Sequence, residues 1–196
     1  MTIKKHYRDT GKLLQRLDSL VETTDMELAK KNVSIPDAST PNFDPQAKTA
    51  ILMVNGFNGL GLHTLFNVIR FFGKEFRNFV FVQIGVIDAG NFKGAPEVSL
   101  LKEDIEKESN RYVTFMRQQG YYAKGFTFVG VDVIDEIEKI GPEISQRYSG
   151  AVFFGGQLVF AKETIFTKWL HNYTVFAMQR KFYNQGIPFV VLPIRV

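Results

Sequence analysis

The sequence predicts a three-layer α/β domain on a doubly wound, five-stranded parallel sheet, preceded by an N-terminal helix and a linker. Three features predict it. Five short apolar runs alternate with stretches long enough for helices of several turns. Most of the runs are apolar at successive positions, as strands covered on both faces are. The turns between them are short, and strand–helix–strand units joined in this way give right-handed crossovers and a parallel sheet.

Taken in order, residues 1–31 place Leu13, Leu14, Leu17, Leu20 and Val21 on one face of a helix, with Lys4, Lys5, Arg8, Lys12 and Arg16 upstream or on the other face. Residues 32–48 (NVSIPDASTPNFDPQAK) carry three prolines among Ser, Thr, Asp and Asn and read as an extended linker. The α/β domain then occupies residues 49–196. Its strands are 49–55 (TAILMVN), 78–86 (NFVFVQIGV), 121–130 (YYAKGFTFVG), 151–155 (AVFFG) and 188–194 (PFVVLPI). Its helices are 60–72, 100–119, 133–148 and 162–184. The third strand is the least regular, because Lys124 and Gly125 sit inside it. Residues 102–108 are heavily charged, so the second helix has a wide solvent face. The first strand is expected in the middle of the sheet. A ligand site then falls at the carboxyl ends of the strands, near the turns after Asn55 and Gly155.

Nineteen Phe against one Trp predict a core filled with aromatic rings beside β-branched residues. The formal charge of +4 suits anionic headgroups or nucleotide phosphates, and equally an ordinary solvated surface. With no cysteine, disulfides, Cys-based zinc sites and thiol nucleophiles are excluded. No run of about 20 apolar residues exists to span a bilayer. The nearest, residues 66–87, is interrupted by Arg70, Lys74, Glu75 and Arg77. The first residues lack the apolar run of a secretory signal, so the chain by itself is expected in the cytosol.

The strongest local signal is NGFNGLGLHT, residues 55–64, between the first strand and first helix. Gly56, Gly59 and Gly61 permit positive φ and close backbone approach to a ligand. The helix that follows would aim free N–H groups at an anion. Gly56 and Gly61 have P-loop spacing, but Leu62-His63-Thr64 stands where Lys-Ser/Thr is required, and the dinucleotide spacing G-x-G-x-x-G is missing. Two readings stay open, nucleotide contact and a tight turn built for helix–strand packing. Gly155-Gly156, before Gln157, ends the fourth strand on the same edge. Gln83, in the second strand, is counted with them as a candidate nucleotide contact. Asp88, Asn91 and Lys93 follow it, in a stretch that reads more simply as a surface loop.

A catalytic constellation is not found. His6, His63 and His171 are far apart and form no metal-ligand pattern, and His63 reads as a cap or packing residue. No serine occupies a G-x-S-x-G elbow. The carboxylates Asp135-Glu136 and Glu106/Glu108 lie on charged helical faces and read as solvated. Lys168, Trp169, His171, Tyr173, Arg180, Lys181, Phe182 and Tyr183 interleave bases with aromatics. However, Trp169, Tyr173, Phe176 and Ala177 recur at helical spacing and read as a core-facing stripe, so no nucleic-acid partner is expected.

The end of the chain carries a resemblance. A strand and Gly-rich loop lead into a long helix with WLHNYTVFAMQR, residues 169–180, and then IPFVVLPI, residues 187–194. This order resembles the end of the universal stress protein fold. The stretches VNGFNGLGLHT, FVFVQIGVIDAGNFKG, AVFFGGQLVF and LPIRV look more closely like universal-stress-like tails of amino-acid permeases of the amino acid–polyamine–organocation superfamily. HYRDTGKLLQRLDSL, residues 6–20, is similar to the segment that leaves the last transmembrane helix of such permeases.

The resemblance implies a cytoplasmic regulatory domain at the inner face of the cell membrane, joined to a transmembrane permease domain. Universal stress domains bind ATP or AMP, and some transporter tails of this kind bind cyclic di-AMP. It implies a site of Asn55, Gly56, Phe57, Asn58, Gly59, Gly61, Gln83, Gly155, Gly156, Gln157, His171 and Asn172. In it, Asn55 stands where ATP-binding members have an adenine-reading Asp, and the fourth-loop G-x-x-G is partly kept as Gly155-Gly156. His171-Asn172 replaces the G-S pair of the last helix, and the bulkier His171 would crowd a triphosphate. Binding in a non-standard manner is therefore expected, with no metal and no catalysis. A homodimer through the apolar last strand is also expected. The alternatives are a structural dimerisation module without ligand and a small α/β hydrolase or transferase.

Overall fold

The computed structural model describes residues 19, 21–26, 41–87, 90, 94–148, 150–159 and 165–195, with side chains in the last stretch from Tyr173 onward. Of the expected helical segment 1–31, residues 1–18, 20 and 27–31 lie outside them, as do residues 32–40 of the expected linker 32–48. The elements run β1 (Lys48–Val54), α1 (Gly59–Phe72), a 3₁₀ turn (Gly73–Glu75), β2 (Phe76–Val86), α2 (Ala95–Gln118), β3 (Tyr122–Gly130), α3 (Val133–Arg147), β4 (Val152–Val159), α4 (Ile165–Asn184) and β5 (Phe189–Arg195). The five strands pair in parallel in the order β3-β2-β1-β4-β5, with β1 central as its uninterrupted apolar run predicts.

Successive residues of the central strands feed opposite cores. On one face, Leu62, Leu65 and Val68 of α1 and Tyr112, Phe115 and Met116 of α2 cover Ala50, Leu52, Phe79 and Phe81. On the other, Ile137 and Ile144 of α3 and Val175, Met178 and Phe182 of α4 cover Ile51, Val80, Val82 and Phe153. Because both pleat directions are buried, β1 and β2 show no polar–apolar alternation. The phenylalanines fill these layers as edge-to-face pairs, such as Phe76–Phe154 at 5.5 Å and 90°. Such pairs contribute about 0.5–1.5 kcal/mol each beyond their burial.

Two of the boundaries shift for local reasons. Helix α2 starts at Ala95 rather than residue 100, since Pro96 suits a first turn that needs no N–H donor and Glu97 adds an acid near the positive helix end. Strand β4 continues to Val159, so Gly155 and Gly156 sit within the strand, opposite Val191 and Leu192 of β5, instead of ending it. Their missing side chains let helices approach. A Cβ on Gly155 would lie 2.7 Å from Val175 Cγ2, and one on Gly156 would lie 2.4 Å from Thr64 Oγ1. The irregular β3 is an edge strand: Lys124 lies 5.2 Å from the Phe126 ring, and Gly125 makes room for Ser109.

Of the stripe expected on the last helix, the Trp169 side chain lies outside the described residues, Ala177 is half-buried, and the two large rings Tyr173 and Phe176 face outward. Tyr173 and Phe176 are exposed, and Val175, Met178 and Phe182 are buried. Helix α4 is apolar on both sides, so spacing alone does not select its inner face. What selects it is shape: a Cβ on Gly141 of α3 would stand 2.2 Å from Phe182, so the ring seats against a bare helix backbone. Pro142 in α3 cannot donate to the Glu138 carbonyl, and Gln185 Nε2 donates to that oxygen instead, at 3.1 Å. Lys181 Nζ meets Glu138 Oε2 at 2.6 Å on the same turn.

The folded unit also reaches upstream of residue 49. Phe43 packs edge-on to Tyr122 and Tyr148, at 5.3 and 5.6 Å. The fully buried Asn78 accepts from the Asp44 amide at 3.1 Å and donates to the Asp44 carbonyl at 2.8 Å. Residues 43–47 therefore close the amino-terminal end of the sheet rather than hanging from it. Among the described residues, no helix is long and apolar enough to cross a membrane.

Candidate ligand crevice

Strands β1 and β4 pair over only three positions, Ala50–Val152 to Leu52–Phe154. Beyond them β1 stays with β2, Val54 opposite Gln83, and β4 stays with β5, Gly155 opposite Val191. Where the two strands part, helices leave on opposite faces and a crevice of about 880 Å³ opens at the carboxyl ends.

The first turn is braced from beneath. Asn58 caps α1: its Oδ1 accepts from Gly61 N at 3.0 Å, and its Nδ2 donates to the Asn55 carbonyl at 2.5 Å. Tyr112 of α2 donates its hydroxyl to the Gly56 carbonyl at 3.0 Å and accepts from the Asn58 amide at 3.5 Å. Burial raises the Tyr112 hydroxyl well above the ordinary tyrosine range, so it stays a protonated donor. Gly56 has φ +82, open to glycine at little steric cost. Gly61 is required differently: a Cβ there would stand 2.0 Å from Tyr112 Oη. The turn thus serves packing at Gly61 and leaves Asn55 exposed at the crevice. One amide of the helix end is already taken by Asn58, which weakens the expected anion cradle. Half-buried His63 has its imidazole pKa lowered by burial, which disfavours its charged form.

Helix α2 forms the facing wall with Asp104, Lys107, Glu108 and Arg111, spaced so that they share one side. Gln83, only 2% exposed, donates Nε2 to Glu108 Oε2 at 3.0 Å. That carboxylate fixes which way the amide points. The Gln83 Oε1 atom is buried and has no hydrogen-bond partner among the described residues. The Arg111 guanidinium lies 3.9 Å from the Phe57 ring centroid and pairs with Asp25.

Of the residues expected at the site, Asn55, Asn58, Gly61, Gln83, Gly155 and Gly156 line one crevice. Gly56, Phe57 and Gly59 shape the turn without lining it, and Gln157 lies past it, opposite Pro193. His171 and Asn172 fall in the second turn of α4, six residues after it starts, and their side chains lie outside the described residues. Asp88, Asn91 and Lys93 do so too. The sequence reading missed the α2 wall, Thr64 and Thr174. The signal was available in part: a helix that follows the strand beside the switch point must border the crevice, so its charged side is not merely solvated. Among the described residues, no group of His, Asp and Glu is arranged to hold a metal ion.

No protein-family model and no curated protein matches the sequence. Among solved structures, the chain is similar to the crystal structure of a protein from the universal stress protein family from Burkholderia pseudomallei. The TM-score is 0.53 at 14% identity, over 78% of this chain and 100% of that one. At that identity the likeness is one of fold, and the chain has the universal-stress-protein-like α/β architecture of five parallel strands with helices on both faces.

Proposed function

We propose that this chain is a non-catalytic ligand-sensing domain that binds an adenine nucleotide in a non-standard manner between β1 and β4. The observation that carries the reading is Gln83, a buried amide at the base of the crevice whose nitrogen is satisfied and whose oxygen has no partner among the described residues. Such an orphan acceptor costs about 1–3 kcal/mol. An amino or hydroxyl donor brought by a ligand, directly or through a water, recovers that cost, and adenine carries one. The phosphate side is weak, because the glycine turn holds no lysine and the wall bases Lys107 and Arg111 stand beside Asp104 and Glu108. Short nucleotides are therefore favoured over ATP.

A thermal-shift panel of adenosine, AMP, ATP and cyclic di-AMP tests this. A ligand at 100 times its Kd adds about 2.7 kcal/mol, a rise of roughly 5–10 °C for a chain of this size. Gln83→Leu should abolish the shift. No shift with any of the four refutes the reading and leaves the alternative of a structural dimerisation module. That alternative draws on the open edge of β5 and the exposed Phe176 and Tyr183 beside it.

The sequence resemblance supports a further context, in which the domain is attached to an amino-acid permease at the cytoplasmic face of the membrane. Its basic N-terminal segment would then lie near anionic headgroups. Membrane-spanning segments encoded upstream of Met1 would establish this, and their lack would remove it.

A further inference from the structure

We propose that residues 21–26 act as a strap whose docking is coupled to the crevice through Arg111, which is exchanged between Asp25 and an anionic group of the ligand. The strap is attached at three points. Residues 21–26 are helical, Val21 packs against the core cluster to which α1 and α2 contribute, and Thr24 is buried. The Asp25 carboxylate accepts from Arg111 Nη2.

Arg111 belongs to two structures at once. It lines the crevice one turn after Lys107, and its guanidinium carbon lies over the Phe57 ring. Phe57 in turn lies 4.6 Å from Tyr112, the residue that holds Gly56 and Asn58 by its hydroxyl. A continuous set of contacts therefore joins the strap to the turn that borders the site. With the strap docked, Asp25 neutralises Arg111 and holds it on Phe57. Among the described residues, Lys107 and Arg111 are the cations that line the crevice and would meet an entering phosphate. Turning the guanidinium fork toward that phosphate removes the partner of Asp25 and loosens the strap. Docking and phosphate binding then oppose each other, and linkage requires the same factor in both directions. Chain upstream of Ser19 would thus receive the state of the crevice as a change in its anchor.

The coupling rests on contacts within the chain. Only the ligand step rests on the nucleotide reading, and the experiment separates the two. Amide hydrogen exchange is followed in the full chain and in Asp25→Asn, first without ligand. The expected result is faster exchange, by several-fold, in residues 21–26 and also at Asn58 and Gly61, with β3 unchanged. Faster exchange in the strap alone overturns the coupling, whatever binds. With AMP added, exchange in 21–26 of the unaltered chain should rise. The affinity of Asp25→Asn for AMP should exceed that of the unaltered chain by about 1.5- to 5-fold, the range of a partly exposed ion pair. Adenosine, without phosphate, should bind both alike. Equal AMP affinity in the two proteins overturns the exchange of Arg111. No binding of AMP or adenosine to either protein overturns the nucleotide reading, and the ligand-free comparison still decides the coupling. Arg111→Lys, which keeps the charge but loses the guanidinium over the Phe57 ring, should reproduce the faster exchange at Asn58.

Discussion

Gly61 is the position where one methyl group should have the largest consequence for the crevice. A Cβ there would lie 2.0 Å from Tyr112 Oη and 3.0 Å from Tyr112 Cζ. Neither side yields easily. Tyr112 is fully buried, stacked on Phe81 at 4.8 Å and tilted against Phe57 at 4.6 Å. Gly61 is held in the first turn of α1 by Asn58.

Gly61→Ala therefore overpacks the site, at about 1–3 kcal/mol. It also pulls the hydroxyl off the Gly56 carbonyl, about 0.5–1.5 kcal/mol more. The better helix propensity of alanine offsets up to about 1 kcal/mol. The net expectation is a loss of about 2 kcal/mol, a fall in Tm of roughly 4–8 °C for a chain of this length. Tyr112→Phe alone should lose about 1 kcal/mol with its hydrogen bond. Because the clash is with the hydroxyl, the double variant should lose less than Gly61→Ala alone. Urea unfolding of the four proteins measures the coupling, which should exceed about 1 kcal/mol in the rescuing direction. Additive losses, or a neutral Gly61→Ala, would refute the claim that this glycine exists for Tyr112.

Two further outcomes follow from other parts of the molecule. A chain begun at Pro41 gives up the contacts of residues 21–26 but should still unfold cooperatively, whereas one begun at Thr49 should lose about 3–5 kcal/mol more. That loss is the burial of Phe43 together with the hydrogen-bond partners of Asn78, and differential scanning calorimetry of the two truncations checks it. Stability should also fall with alkaline pH. Burial raises the folded-state pKa of Tyr112, so the unfolded chain releases that proton first once the pH passes about 10. Below that pH the contribution is fully present. Above it, unfolding free energy should decline by at most about 1.4 kcal/mol per pH unit for this group, and Tyr112→Phe should flatten the decline in urea midpoints between pH 9 and 11.

Much of the fold was legible because parallel α/β sheets announce themselves locally. Runs such as TAILMVN and FVFVQ are apolar in both pleat directions, which only a strand covered on two faces needs. Where an element is one-sided or sits at an edge, the pattern fails. Strand β3 tolerates Lys124 because it has one neighbour, and α4 conceals its inner face because Tyr173 and Phe176 are as apolar in composition as Val175 and Phe182.

The candidate site divides the same way. Asn55, Asn58, Gly61, Gly155 and Gly156 are recognisable in sequence because they follow or interrupt strands near one switch point, and strand order alone brings them to one crevice. Tertiary structure decided what each of them does there. Gly61 and Gly156 are small because Tyr112 and Thr64, which are remote from them in sequence, occupy their space. The Gln83–Glu108 pair, the Asp25–Arg111 pair and the brace from Tyr112 to Gly56 span 25, 86 and 56 residues. Local periodicity carries information over a few turns at most, so which charged residue of α2 faces the crevice, and which distant carboxylate holds it, is settled only when the helix packs against the sheet.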